Sequence, residues 1–135
     1  MIKAIAHICI STKDLHETEM FYCECLGLSK KFHFVRDGNV FGYYLQINES
    51  NFIEVFKADT VSSETKPLVK HFCLEVDDID KTIKEIRDCG VTITDKKMGR
   101  DNSWQAWLTD PNGVRIELHQ YTDKSSQVTE NDCVM

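Results

Sequence analysis

The sequence predicts an α+β fold built from two tandem βαβββ modules. The first supporting observation is an internal repeat. HICISTKDLHET, starting at His7, aligns with HFCLEVDDIDKT, starting at His71, so that His7 falls on His71, Cys9 on Cys73, Asp14 on Asp78 and Thr18 on Thr82. The second is that each half closes on an apolar strand with one glutamate, NFIEVFK with Glu54 and VRIELHQY with Glu117. Histidine and glutamate are 47 residues apart in the first half and 46 in the second, a slip that one loop residue accounts for. The third is the order of local signals, which runs strand, helix and three strands in each half.

Each element has its own reason. Residues 2–10 alternate small and β-branched apolar side chains, a strand pattern. Asp14 offers an N-cap oxygen, with Glu17 three residues on in the manner of a capping box. Leu15, Thr18, Phe21, Tyr22, Cys25 and Leu26 form a helical apolar stripe, and Gly27 is the stop signal. Strands follow at 31–36, 40–47 and 51–57, separated by Asp37-Gly38 and Asn48-Glu49-Ser50. The second half has a strand at 70–76, Asp78 or Asp77 as N-cap, Ile79, Ile83 and Ile86 on one helix face, and Gly90 as the stop. Strands near 91–97, 104–109 and 114–121 complete it, with Asp110-Pro111-Asn112-Gly113 as a turn. The module boundaries are therefore 1–57 and 70–121. The polar stretch 58–69 reads as a linker, and the aperiodic tail 122–135 reads as flexible.

Composition limits the function. The chain has 135 residues, enough for one compact domain without disulfide or metal staples. Sixteen basic against 22 acidic residues give a net charge of −6, which disfavours nucleic acid and anionic membranes as partners. No apolar run reaches membrane-spanning length, and the N-terminus does not read as a signal peptide. The six cysteines include no C-x-x-C, and most lie in apolar segments. They read as buried thiols in a reducing cytoplasm, with a reactive thiol the minority reading.

Strand parity assembles a site. With Ile8 and Ile10 under a helix, His7, Cys9 and Ser11 face the other way. The same rule puts Glu54 with Phe52 and Phe56, His71 with Cys73, and Glu117 with Arg115, His119 and Tyr121. If the two half-sheets curve together into a cup-like mixed sheet with helices outside, these side chains line its cavity. Two imidazoles and two carboxylates suit one divalent metal and leave positions open for substrate. The plainer alternative for each carboxylate is a salt bridge, to Lys57 or Arg115. Phe52, Phe56, Trp104 and Trp107 are candidate pocket walls or ordinary core. His119 is a candidate substrate contact or a rim histidine.

These residues resemble the vicinal oxygen chelate superfamily, which includes glyoxalases, bleomycin-resistance proteins and ring-cleaving dioxygenases. The carriers are His7 in HICIST, the FYCECLGL helix end, Glu54 in NFIEVF, His71 in KHFCLEVDDID and Glu117 in LTDPNGVRIELHQ, across residues 2–121. The resemblance implies His7, Glu54, His71 and Glu117 as metal ligands. The His-Glu-His-Glu set is most similar to bacterial glyoxalase I (lactoylglutathione lyase), which implies Ni²⁺ or Co²⁺ as cofactor, with Zn²⁺ as the alternative. It also implies a homodimer acting on the hemithioacetal of a 2-oxoaldehyde such as methylglyoxal, with Glu117 favoured over Glu54 as the base. In that group an Arg commonly follows the first histidine by four residues and an Asn the first glutamate by four. Here Ser11 and Ala58 stand there, so the thiol is glutathione or another, and Arg100 or Lys57 is a candidate to replace the missing grip. The alternatives are an epimerase using the same enolate chemistry and a non-catalytic antibiotic-binding or resistance protein.

Overall fold

The computed structural model describes residues 4–59 and 69–133. Residues 60–68, most of the segment read as a linker, lie outside the described residues, as do 134–135. The chain divides into two compact units, Met1–Ser63 and Glu64–Met135. Each has the βαβββ order.

In the first unit β1 (His7–Thr12) leads to α1 (Leu15–Glu19), which continues as a π-helical stretch over Met20–Cys25. β2 (Ser29–Arg36), β3 (Asn39–Gln46) and β4 (Phe52–Lys57) follow. The sheet order is β1-β4-β3-β2, with β1 parallel to β4 and the other pairs antiparallel. The second unit repeats this with β5 (Phe72–Glu75), α2 (Ile79–Asp88), β6 (Lys97–Met98), β7 (Trp104–Thr109) and β8 (Arg115–Gln120) in the order β5-β8-β7-β6. A parallel outer pair needs a crossover, and in each unit the helix supplies it.

The helix starts follow from capping chemistry. Asp14 Oδ1 accepts from His16 N at 2.9 Å and Glu17 N at 3.0 Å, and Asp78 Oδ1 accepts from Lys81 N at 3.0 Å. The Asp14 backbone N–H donates to Thr12 Oγ1 at 3.0 Å, so Thr12 takes the place that the capping box gave to Glu17. Buried Thr18 donates to the same hydroxyl at 2.8 Å, which ties the helix to the end of β1. Those backbone hydrogen bonds hold the Asp14 carboxyl below the usual carboxylate range, Glu17 N–H contributing most.

One helix detail departs from expectation. The helix does not stay α-helical, since Leu26 N–H donates to Phe21 O, five residues back, at 3.1 Å. The wider turn turns both Phe21 and Tyr22 inward, where they are buried with rings 4.9 Å apart. Gly27 and Gly90 then stop the two helices at φ +72° and +79°, a region costly for other residues.

The cores lie on the helix side of each sheet. Tyr43, Leu45, Ile53 and Val55 are at most 1% exposed in the first unit, and Ile79, Ile86, Ile116 and Leu118 in the second. Every second strand residue recurs, as a half-buried sheet requires. The 91–97 strand does not form as a whole. Ile93 makes a single bridge to Leu108, and Thr94 Oγ1 accepts from Trp107 N at 3.0 Å where a ladder bond would run.

The tail differs from its flexible reading up to Glu130. Thr122–Ser125 make a turn and Ser126–Thr129 a short helix, α3. Buried Ser125 receives hydrogen bonds from Ser103 Oγ and Thr122 N, both at 2.9 Å. Gln127 Nε2 donates to Asp101 at 2.7 Å. Polar side chains anchor this segment, which a search for apolar periodicity does not detect.

Gly42 is required by close approach. A Cβ there would fall 2.5 Å from Val55 O and 2.6 Å from the Phe56 ring. Gly42→Ala is expected to destabilise by about 1–3 kcal/mol, the range for overpacking, read as a lower urea midpoint at unchanged slope.

Candidate metal centre

The two units place the same chemistry at the same point. In the first, His7 Nε2 lies 3.3 Å from Glu54 Oε2. In the second, His71 Nε2 lies 3.2 Å from Glu117 Oε2. The parallel register explains the first pair: His7 is opposite Phe52 and Cys9 opposite Glu54, so His7 and Glu54 share a face two rungs offset. β5 and β8 repeat this, with Cys73 opposite Glu117.

An aromatic ring flanks each pair from the next strand. Tyr44 is the β3 register partner of Glu54 and stands edge-on to His7, with centroids 5.8 Å apart. Trp107 is the β7 partner of Glu117 and stands edge-on to His71 at 4.8 Å. Tyr44 Oη is also 3.1 Å from His7 Nδ1. Either ring tautomer satisfies this contact, and the one that donates Nδ1–H to the hydroxyl is the one that frees the Nε2 lone pair for a metal. Tyr44→Phe keeps the ring stacked on Phe32 and Phe52 but loses this contact. It is expected to weaken metal binding about 10-fold, measured by competition with a chromogenic chelator.

The salt-bridge alternative does not hold among the described residues. Neither Glu54 nor Glu117 has a lysine or arginine ion-pair partner. Arg115 instead lies over the Trp107 ring at 4.7 Å. Glu117 is 9% exposed as a side chain, and imidazoles are its neighbours on both carboxylate oxygens. His71 approaches Oε2, and His119 Nε2 lies 3.1 Å from Oε1. His119 Nε2 is itself buried, and that short approach is not aligned as a hydrogen bond, so the atom has no partner among the described residues. Leaving such a group unsatisfied costs about 1–3 kcal/mol. A buried carboxylate between imidazoles, with one ring nitrogen orphaned, fits a cation. The donor set of imidazole nitrogen and carboxylate oxygen suits Zn²⁺, Ni²⁺ or Co²⁺.

Burial pushes the Cys9 thiol up, with Glu54 adding to the shift. Cys73 is pushed up to about 12, by burial and then by the Glu117 charge. Both are protonated thiols at neutral pH. Cys9, Cys23 and Cys73 carry free thiols.

The aromatic candidates divide. Phe52 and Phe56 share the Glu54 face, Phe52 stacked on Tyr44 at 5.1 Å and Phe56 against Phe34 at 4.7 Å. Bulges at Lys31 and Phe41 enrich this face further: Lys31 Nζ sits 5.2 Å over Phe52, and Phe41 stacks on Phe56. In the second unit Trp107 is beside Glu117, but Trp104 is not. Trp104 has Gln120 as its β8 partner and lies on the opposite face, under the Lys96 ammonium at 4.7 Å. Arg100 is exposed in the turn before β7 and lines a cleft with Gln105, the register partner of His119. No described contact ties Arg100 to Glu117. Tyr44, Phe32 and Phe34 are the face residues that the sequence reading missed. Register with Glu54 is the signal that finds Tyr44.

Comparison with known proteins agrees with this architecture. The chain is 27% identical over 131 residues to the uncharacterized Bacillus subtilis (strain 168) protein YwkD, covering 89% of this chain and 98% of that protein. A glyoxalase family protein from Enterococcus faecalis superposes with a TM-score of 0.74 at 24% identity, covering 87% of this chain and 97% of that one. The fosfomycin resistance protein FosX of Listeria monocytogenes superposes at 0.72 with 18% identity, covering 90% and 96%. At these identities the structural likeness shows the fold alone. No helix among the described residues is long and apolar enough to cross a membrane. Residues 4–118 match the family model, and the chain belongs to the Glyoxalase/Bleomycin resistance protein/Dioxygenase superfamily.

Proposed function

We propose that this chain is a metal-dependent isomerase of the glyoxalase I type. It converts the hemithioacetal of a small 2-oxoaldehyde to a 2-hydroxyacyl thioester. The observation that carries the reading is the duplicated His–Glu pair. His7 and Glu54 at 3.3 Å, and His71 and Glu117 at 3.2 Å, supply a carboxylate from both modules. A protein that only sequestered a ligand would have no need of both.

In this reading His7, Glu54, His71 and Glu117 hold one divalent ion. When bound, the ion supplies Lewis-acid stabilisation to the adjacent oxygens of the substrate. Glu117 takes the proton from C1 of the hemithioacetal and returns a proton at C2 of the resulting enediolate. Its low exposure excludes competing water, and the imidazoles beside it orient its two oxygens. Glu54 supplies the second anionic ligand. Trp107 and the Tyr44–Phe52 stack wall the two pairs and receive the organic part of the substrate. The active form is proposed to be a homodimer.

The test is chelator stripping followed by restoration with Ni²⁺, Co²⁺, Zn²⁺ or Mn²⁺. Thioester formation is then followed from methylglyoxal with glutathione, and with other low-molecular-weight thiols. Metal-restored turnover with any thiol supports the reading. Metal binding without turnover on any of them refutes it.

A further inference from the structure

The repeat is not perfect, and its asymmetry carries chemistry. In the first unit the residues flanking Glu54 on its face are Cys9 across the ladder and Phe56 two residues on. In the second they are Cys73 and His119. Phe56 offers no ligand atom, whereas His119 offers a ring nitrogen. Ligand atoms of Cys73, Glu117 and His119 all lie within 4.8 Å of one another.

A second, independent observation points into this cluster. The His119 side chain is 9% exposed, and its Nε2 has no hydrogen-bond partner among the described residues while facing Glu117 Oε1 at 3.1 Å. The two oxygens of Glu117 thus face different donors. Oε2 belongs with His71, in the arrangement that both units share. Oε1 belongs with His119, in an arrangement that, among the described residues, the second unit has alone. Cys73 is exposed enough to admit an ion, and Tyr121 holds the His119 ring edge-on at 5.7 Å.

We propose that the second unit carries a further cation position, formed by Cys73 Sγ, His119 Nε2 and Glu117 Oε1, for a thiophilic borderline dication such as Zn²⁺ or Co²⁺. One sulfur, one nitrogen and one oxygen donor select that class over Mg²⁺ or Ca²⁺. Bonds of about 2.0–2.3 Å to a tetrahedral ion place donors within about 4 Å of each other, so small side-chain rotations close the set. Binding displaces the Cys73 thiol proton to solvent, and water fills the fourth position. The position shares Glu117 with the proposed function, so an ion held on Oε1 is expected to slow the proton transfer assigned to that carboxylate, while the binding itself is read without any turnover.

The probe is Co²⁺ added to the metal-stripped full chain, with the absorption spectrum recorded at each addition. A thiolate-to-cobalt charge-transfer band in the near ultraviolet is expected. It is expected to vanish in Cys73→Ser and to require at least about 10-fold more cobalt in His119→Gln. It is expected to survive Cys9→Ser, Cys133→Ser and His7→Gln. Cobalt binding with no such band overturns the position and leaves the proposed function standing. So does a band that persists in Cys73→Ser or disappears in Cys9→Ser. Failure to bind cobalt at all overturns it too.

Discussion

Glu117→Gln is expected to lower turnover by about 10³-fold, within the range a positioned general base supplies. The amide has the same shape and still fills the space between His71 and His119. It cannot accept a proton, and in the proposed ligand set it would remove an anion that offsets the charge of a dication. The expected pattern is a large fall in kcat with a folded protein of nearly unchanged urea midpoint. A structural role for Glu117 would give the reverse, a shifted midpoint with activity retained. Steady-state kinetics and urea denaturation on the same preparation separate these outcomes.

Glu54→Gln is the second large effect, and it is expected to differ in kind. Glu54 is more exposed than Glu117, 20% against 9% as a side chain, and has one imidazole neighbour where Glu117 has two. Loss of an outer hydrogen bond at a metal site costs about 10–100-fold in affinity, and loss of a charged ligand is expected to exceed about 100-fold. Metal affinity should therefore collapse, and saturating metal should recover part of the turnover. Turnover rescued by metal in Glu54→Gln but not in Glu117→Gln assigns the proton transfer to Glu117. Equal rescue of both contradicts that assignment.

Much of this was legible because both signals are periodic. The alternation of Ile53 and Val55 against Glu54 places the carboxylate off the core side, and so does Ile116 and Leu118 against Glu117. The repeat then pairs each glutamate with its histidine. What parity leaves undetermined is register. Tyr44 carries no motif, and only the β3–β4 pairing sets it against Glu54. The bulges that bring Lys31 and Phe41 to the same face break the alternation that a strand pattern relies on. Trp104 was open to rejection by parity, because residues 104 and 107 cannot share a face in a regular strand. The π-helical turn was not legible, since Phe21 and Tyr22 fit an α-helical stripe closely enough. The tail was missed for another reason: Ser125 is held by hydroxyl and backbone partners rather than by apolar contact.

The most direct measurement is metal content and activity on one set of samples: native, chelator-stripped, and restored with Ni²⁺, Co²⁺, Zn²⁺ or Mn²⁺. Each is assayed for thioester formation from methylglyoxal with glutathione and with other small thiols. The account predicts no turnover in the stripped protein and recovery with at least one ion, abolished by Glu117→Gln. Turnover that persists without metal, or a protein that binds the ions and forms thioester with none of the thiols, would contradict it.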